Sequence, residues 1–207
     1  DIKKEVCTVK KITALCAVML FTSTLQAQEA ETLFNGKVTH GGFGGPVVTF
    51  STIMGHNAVM VGGRGGWIIN NTLTLGGAGY GLVTRIPTVP SVAGGDSLAL
   101  GMGYGGFQAG VIIKSNKLIH MSCFLLIGAG GVSHVDWDED DFDYDHDKGD
   151  AFFVLEPTME AVLNITDFLR VSAGAGYRYV SGVDLPFISN SDLSGVSAHF
   201  SLKFGSF

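Results

Sequence analysis

Charge is the first thing this sequence has little of. Asp, Glu, Lys and Arg together make up 15% of the 207 residues, against 46% hydrophobic residues, where a soluble domain carries about a quarter charged. Long apolar runs are scarce as well. Beyond the N-terminal region nothing approaches the roughly 18 uninterrupted apolar residues of a helical span, so no such span is expected there. Cysteine is limited to Cys7, Cys16 and Cys123. Only Cys123 lies outside the N-terminal segment, which leaves no pair for an internal disulfide in the rest of the chain. It sits in an apolar stretch and reads as a small hydrophobe. A basic patch is missing too, so nucleic-acid binding has no electrostatic footprint and is not expected.

Residues 1–27 read as an export signal. Lys3, Lys4, Lys10 and Lys11 form a basic start, Ile12–Leu25 an apolar middle, and Leu25-Gln26-Ala27 a cleavage site. Removing this leader takes away four lysines and two acidic residues. Nine basic and 17 acidic side chains remain, a net of about −8. Residues 28–45 then form a polar and glycine-rich lead-in, with HGGFGG at His40–Gly45, and 46–207 the folded domain.

What is present is period-two alternation, which places successive side chains on opposite faces of a strand. It is clearest in Ala151–Val180, where two strands flank a turn at Asn164–Asp167 centred near Ile165. Phe153, Leu155, Pro157, Met159, Ala161 and Leu163 share one face of the first strand. Glu156, Thr158 and Glu160 share the other, with Val154 and Val162 around them. The second strand has Leu169, Val171, Ala173, Ala175, Tyr177 and Tyr179 opposite Arg170, Ser172, Gly174, Gly176 and Arg178. This register sets Glu160 across from Arg170, where a cross-strand ion pair is sterically natural.

The remaining strands are expected at Val47–Met54, Ala58–Asn70, Thr72–Arg85, Leu98–Lys114, Leu118–Val135 and Leu193–Phe207. Turns fall at Gly55-His56-Asn57, Asn70-Asn71 and Ser115-Asn116-Lys117. Long polar loops fall at Ile86–Ser97, Asp136–Asp150 and Gly182–Asp192. Eight antiparallel strands with short turns at one end and mostly long loops at the other predict an all-β, eight-stranded up-and-down transmembrane barrel. Lipid then meets the apolar set, and the polar set fills the interior. The 30 glycines cluster inside the strands, where they permit tight curvature and make room for large inward side chains.

The leader, the alternating strands, the aromatic strand ends and the terminal LKFGSF resemble the small eight-stranded outer-membrane barrels of the OmpA and OmpX type. GGRGGWIIN and EPTMEAVLNITDFLRVSAGAGYRYV resemble uncharacterised bacterial exported proteins. The resemblance spans Val47–Phe207. It implies residence in the outer membrane of a Gram-negative bacterium, contact with its lipids, and recognition of the terminal Phe207 by the barrel-insertion machinery.

The candidate site is the inward set Arg64, Glu156, Glu160, Arg170, Arg178, His199 and Lys203. It reads as a structural polar filling or as the lining of a narrow pore; so small a barrel favours the former. The loop DWDEDDFDYDHDKGD holds nine carboxylates. Asp141, Asp143 and Asp145 copy the first three ligand positions of an EF-hand, but His146 replaces the required glycine and Phe152 the bidentate glutamate. Weak calcium binding or a surface ligand there is the specific reading, a solvated self-repelling loop the general one.

His199-Phe200-Ser201 resembles the H-x-S pair of the outer-membrane lipid A deacylases, yet the six residues after Ser201 hold no acidic partner. Gly101-x-Gly103-x-x-Gly106 matches a dinucleotide fingerprint only by letter, since a strand and not a helix follows it. No cofactor and no catalysis are expected. The expected role is membrane-structural or surface-interacting through the loops. A narrow pore, a lipid-modifying enzyme and a soluble periplasmic ligand-binding barrel stand as alternatives.

Overall fold

The computed structural model describes residues 38–88, 98–136 and 149–207. The leader, most of the lead-in, Asp141, Asp143 and Asp145 lie outside the described residues. Eight antiparallel strands follow in chain order: β1 His40–Ile53, β2 His56–Ile69, β3 Leu73–Leu82, β4 Leu98–Ile113, β5 Ile119–Asp136, β6 Gly149–Asn164, β7 Leu169–Ser181 and β8 Gly195–Ser206. Each pairs with its sequence neighbour, and β1 pairs with β8, so the sheet closes on itself. Closure removes both sheet edges.

Four local expectations are corrected. β1 begins at His40 rather than Val47, so His40–Gly45 is strand and not lead-in. Here Gly45 faces inward, and a Cβ on it would run into the Leu202 carbonyl. The glycines that weaken the strand signal are what allow the β1–β8 seam to close. The first hairpin turns on Met54-Gly55 alone, with φ of 51° and 77°. That is the left-handed pair a two-residue hairpin requires. Leu193 does not start β8; it ends a short helix, α1, Asn190–Leu193.

The fourth correction concerns register. In the β6–β7 hairpin Asn164 pairs with Arg170 and Glu160 with Gly174. The turn therefore centres on Asp167, two residues later than expected. Ile165 and Thr166 N–H donate to the Leu169 carbonyl, and the Thr166 hydroxyl accepts from Leu169 N–H at 3.0 Å. The partner of Glu160 thus moves by four residues, from Arg170 to Gly174; an even slip in pairing keeps every side chain on its face, whereas a slip of one would invert the strand.

The faces divide as the alternation predicts. Outward lie Phe50, Val61, Trp67, Phe107, Leu125, Ile127, Phe153, Met159, Tyr177, Tyr179, Phe200 and Phe204, all substantially exposed. Leu155 and Val171 share that surface. Inside, the barrel has two zones. The loop-end zone is apolar, with Met60, Leu100, Met102, Val132, Phe152, Val154 and Val180 packed against Ile86, Ile188 and Leu193 from the loops. The turn-end zone is polar and charged.

Candidate functional site: the charged barrel interior

All seven candidate side chains point inward, and none is more than 8% exposed. They do not form one cluster. Arg178 lies at the loop end, Glu156 and His199 midway, and Glu160, Arg64, Lys203 and Arg170 toward the tight turns.

Arg178 fastens the loop to the barrel. Its Nε donates to the Leu193 carbonyl at 2.8 Å, and Nη2 to the Ser51 hydroxyl at 3.2 Å. The guanidinium lies 5.7 Å from the centre of the Tyr104 ring. Around it the 182–194 segment is held by its own bonds. Met54 N–H donates to the Asp192 carbonyl, Val180 N–H to the Ser194 hydroxyl, and Val183 N–H to the Asn190 side chain. Asp150, the last carboxylate of the acidic loop, accepts from the backbone N–H of Ala151 and of Asp184.

Glu156 collects donors in place of a full ion pair. Tyr104 OH donates to Oε2 at 2.8 Å and the Ser197 hydroxyl to Oε1 at 2.9 Å. His199 Nε2 is 3.4 Å from Oε1 and 2.8 Å from the Ser197 oxygen, while its Nδ1 is 3.1 Å from the Thr49 hydroxyl. This geometry does not activate a nucleophile. An attacking serine gives its proton to the imidazole, whose other nitrogen is held by a carboxylate. Here Ser197 gives its proton to the carboxylate, Glu156 and Ser197 meet the same ring nitrogen, and Thr49 holds the other. Ser197 is also fully buried. Ser201, the serine of the H-x-S spacing, makes no bond to His199; it accepts from Arg64 Nη2 at 2.6 Å.

Glu160 joins two cations through separate oxygens. Arg64 Nη1 pairs with Oε1, and Lys203 Nζ with Oε2 at 2.9 Å. The expected partner, Arg170, is not among them, because the register sets Gly174 opposite Glu160. Arg64 comes from β2 and reaches Glu160 on β6 across the interior. Its Nη2 also bonds to Ser172 and Ser201, which are 2.8 Å apart. The Phe124 ring lies beneath both cations, 5.3 Å from Arg64 and 4.9 Å from Lys203. Arg170 instead stacks on the Phe207 ring at 3.8 Å.

Sequence reasoning missed Tyr104, Thr49 and Phe124 as members of this network. It assigned Ser197 no role and offered Ser201 only as the second half of the H-x-S pair with His199, whereas they bond to Glu156 and Arg64. Their signal was phase, since all occupy the alternate positions of their strands. Among the described residues no group of three or more His, Cys, Asp or Glu side chains is arranged to hold a metal ion.

A scan against protein-family models and a search of curated proteins each find no match. Among solved structures the chain is similar to Neisserial surface protein A (NspA), with a TM-score of 0.53 and 12% identity. That likeness covers 83% of this chain and 99% of NspA. It is also similar to Ail, the attachment invasion locus protein of Yersinia pestis, with a TM-score of 0.45 and 13% identity over 80% of this chain and 97% of Ail. Ail in complex with the heparin analogue sucrose octasulfate gives 0.49 and 13%, covering 82% of this chain and 99% of that one. The likeness to NspA is one of fold. The molecule is a closed, eight-stranded, all-antiparallel barrel, apolar without and, within, apolar toward the loops and polar toward the tight turns.

Proposed function

We propose that the protein is an integral outer-membrane barrel whose role is membrane-structural or adhesive, without catalysis, exercised through the loops 86–97, 136–150 and 182–192. One observation carries the reading: among the described residues the side walls offer lipid-compatible surface around an interior filled largely by its own side chains, and the one short helix sits at the loop end. A soluble barrel binding a ligand inside would need the opposite phase, with the aliphatic set lining a cavity.

The 182–194 segment supports a presenting role. Phe187 stands 83% exposed with φ of 66°, an unfavourable backbone for a bulky residue. The Leu185–Ile188 bridge that spans it and the Ser189–Asp192 bonds that follow it hold it there. An aromatic ring fixed outward on an anchored loop suits contact with a partner surface. The strands β5 and β6 that flank the acidic loop end on this same side of the barrel, and the loop's carboxylates would add negative charge to it.

Around the wall the proposed partners are outer-membrane lipids, and the C-terminal strand is the segment the insertion machinery would read. Phe200, Leu202 and Phe204 face outward, whereas Phe207 falls in the opposite phase and folds against Arg170.

Membrane fractionation, with electrophoresis of heated and unheated samples, tests the proposal. The expected result is recovery from the outer membrane and a faster-migrating unheated band. A monomer soluble without detergent overturns it. His199→Ala leaves lipid A acylation unchanged by mass spectrometry; a changed acyl pattern would restore the enzymatic alternative.

A further inference from the structure

Among the described residues, the barrel interior toward the tight turns buries more cations than carboxylates. Arg64, Lys203 and Arg170 share this zone with one buried carboxylate, Glu160, which is already held by Arg64 and Lys203. Arg170 and Lys203 are directly opposite each other on β7 and β8, a like-charge placement that is destabilising unless something offsets it. Among the described residues Arg170 has no carboxylate partner; the Phe207 ring is its recorded contact.

Beside these two cations lies a small cavity lined also by Thr74, His120, Ser122, Phe124 and Phe207. Two of its polar atoms, Thr74 Oγ1 and His120 Nδ1, have no hydrogen-bond partner, although the residues are only 2% and 4% exposed. Buried polar atoms left unpaired are rare and call for an occupant. The centre of a water-sized sphere can move through about 10 Å³ of it, room on the scale of a single water or a monatomic ion.

We propose that this cavity binds one small inorganic monovalent anion of the halide class between Arg170, Thr74 and His120. The anion offsets the Arg170–Lys203 juxtaposition, accepts the Thr74 hydroxyl proton and accepts from His120 Nδ1–H. Lys203 contributes at longer range while keeping its bond to Glu160. The Phe207 ring closes the mouth over Arg170.

The test uses the folded barrel in detergent micelles, with bromide, chloride and gluconate at equal ionic strength. Gluconate is too large for the cavity. Crystals grown in bromide should give one anomalous peak between Arg170 and Thr74. Thermal unfolding midpoints should rise with bromide or chloride and stay flat in gluconate, following ligand linkage. Thr74→Val, which keeps the side-chain shape, should weaken the apparent halide affinity about tenfold. Arg170→Gln should abolish both the peak and the halide response. A water without anomalous signal at the site overturns the proposal. So does a midpoint equal in chloride and gluconate, or a halide response that survives both substitutions. Phosphate binding there in preference to halide overturns it too.

Discussion

Replacing Glu160 with glutamine is the sharpest perturbation of the interior. The substitution keeps the shape and removes the one charge that Arg64 and Lys203 share. At an effective dielectric constant of 20, an ion pair at the 2.9 Å of Lys203–Glu160 is worth about 6 kcal/mol before desolvation is counted. Desolvation offsets much of that gain, yet it is not returned when one partner is removed, because the other charges stay buried. Breaking such a pair costs about 3–5 kcal/mol. Glu160→Gln strands two cations at once and leaves Arg170 opposite Lys203, so the expected loss is near the upper end, about 4–5 kcal/mol. Urea unfolding of vesicle-inserted protein, followed by tryptophan fluorescence and band shift, measures it. Lys203→Met placed on the Glu160→Gln background should recover part of the loss, which a double-mutant cycle isolates. A Glu160→Gln barrel within about 1 kcal/mol of the parent, or a cycle without coupling, would refute the reasoning.

Three other expectations follow from particular side chains. Met159→Arg places a charge on the outward face and should cost about 2–4 kcal/mol in a bilayer; an unchanged unfolding midpoint in vesicles would mean that this face does not meet lipid. Gly174→Ala should destabilise by about 1–3 kcal/mol, because a Cβ there would meet the Met159 carbonyl and lie 2.8 Å from Glu160 Cγ. The outward Gly131→Ala, with nothing nearer than 3.9 Å, should stay within about 0.5 kcal/mol of the parent in the same titration. Arg178→Leu removes the donor to Leu193 and should raise the rate of proteolytic nicking within 182–194 about tenfold, while the band shift of the barrel persists.

The faces of the strands were legible because period two is a local property, and a sheet between lipid and a polar interior sorts residues sharply. Glu156 and Met159 could be separated without knowing what either touches. Register was less legible. The Asn-Ile-Thr-Asp sequence suggested a turn centred near Ile165, and only the hydrogen bonds of the Thr166 hydroxyl with Leu169 move the centre to Asp167. The even shift preserved the faces and changed the partner of Glu160. Arg64–Glu160 was not legible at all. It joins β2 to β6 across the lumen, so no adjacent-strand argument reaches it. The start of β1 was hidden for a different reason, since HGGFGG carries almost no alternating pattern to read.

The division of the interior explains why the charges can be buried at all. At the loop end Arg178 spends its donors on a backbone carbonyl and a hydroxyl, with the Tyr104 ring beside it. Tyr104 in turn donates to Glu156, so one ring links the upper cation to the middle carboxylate. Above them Leu193 and Ile188 complete an apolar plug with Met60, Val154 and Val180. An ion entering from the loop side would have to displace this plug before meeting a compensating charge. The plug is tied to the strands through Arg178 and through the Met54 and Val180 bonds. Conductance therefore requires detaching the 182–194 segment, and neutralising Glu160 or Arg170 alone should leave single-channel recordings of the parent barrel unchanged. A conductance that shifts with either substitution would show that the lumen is open past Leu193, and would return the interior to the reading of a pore lining.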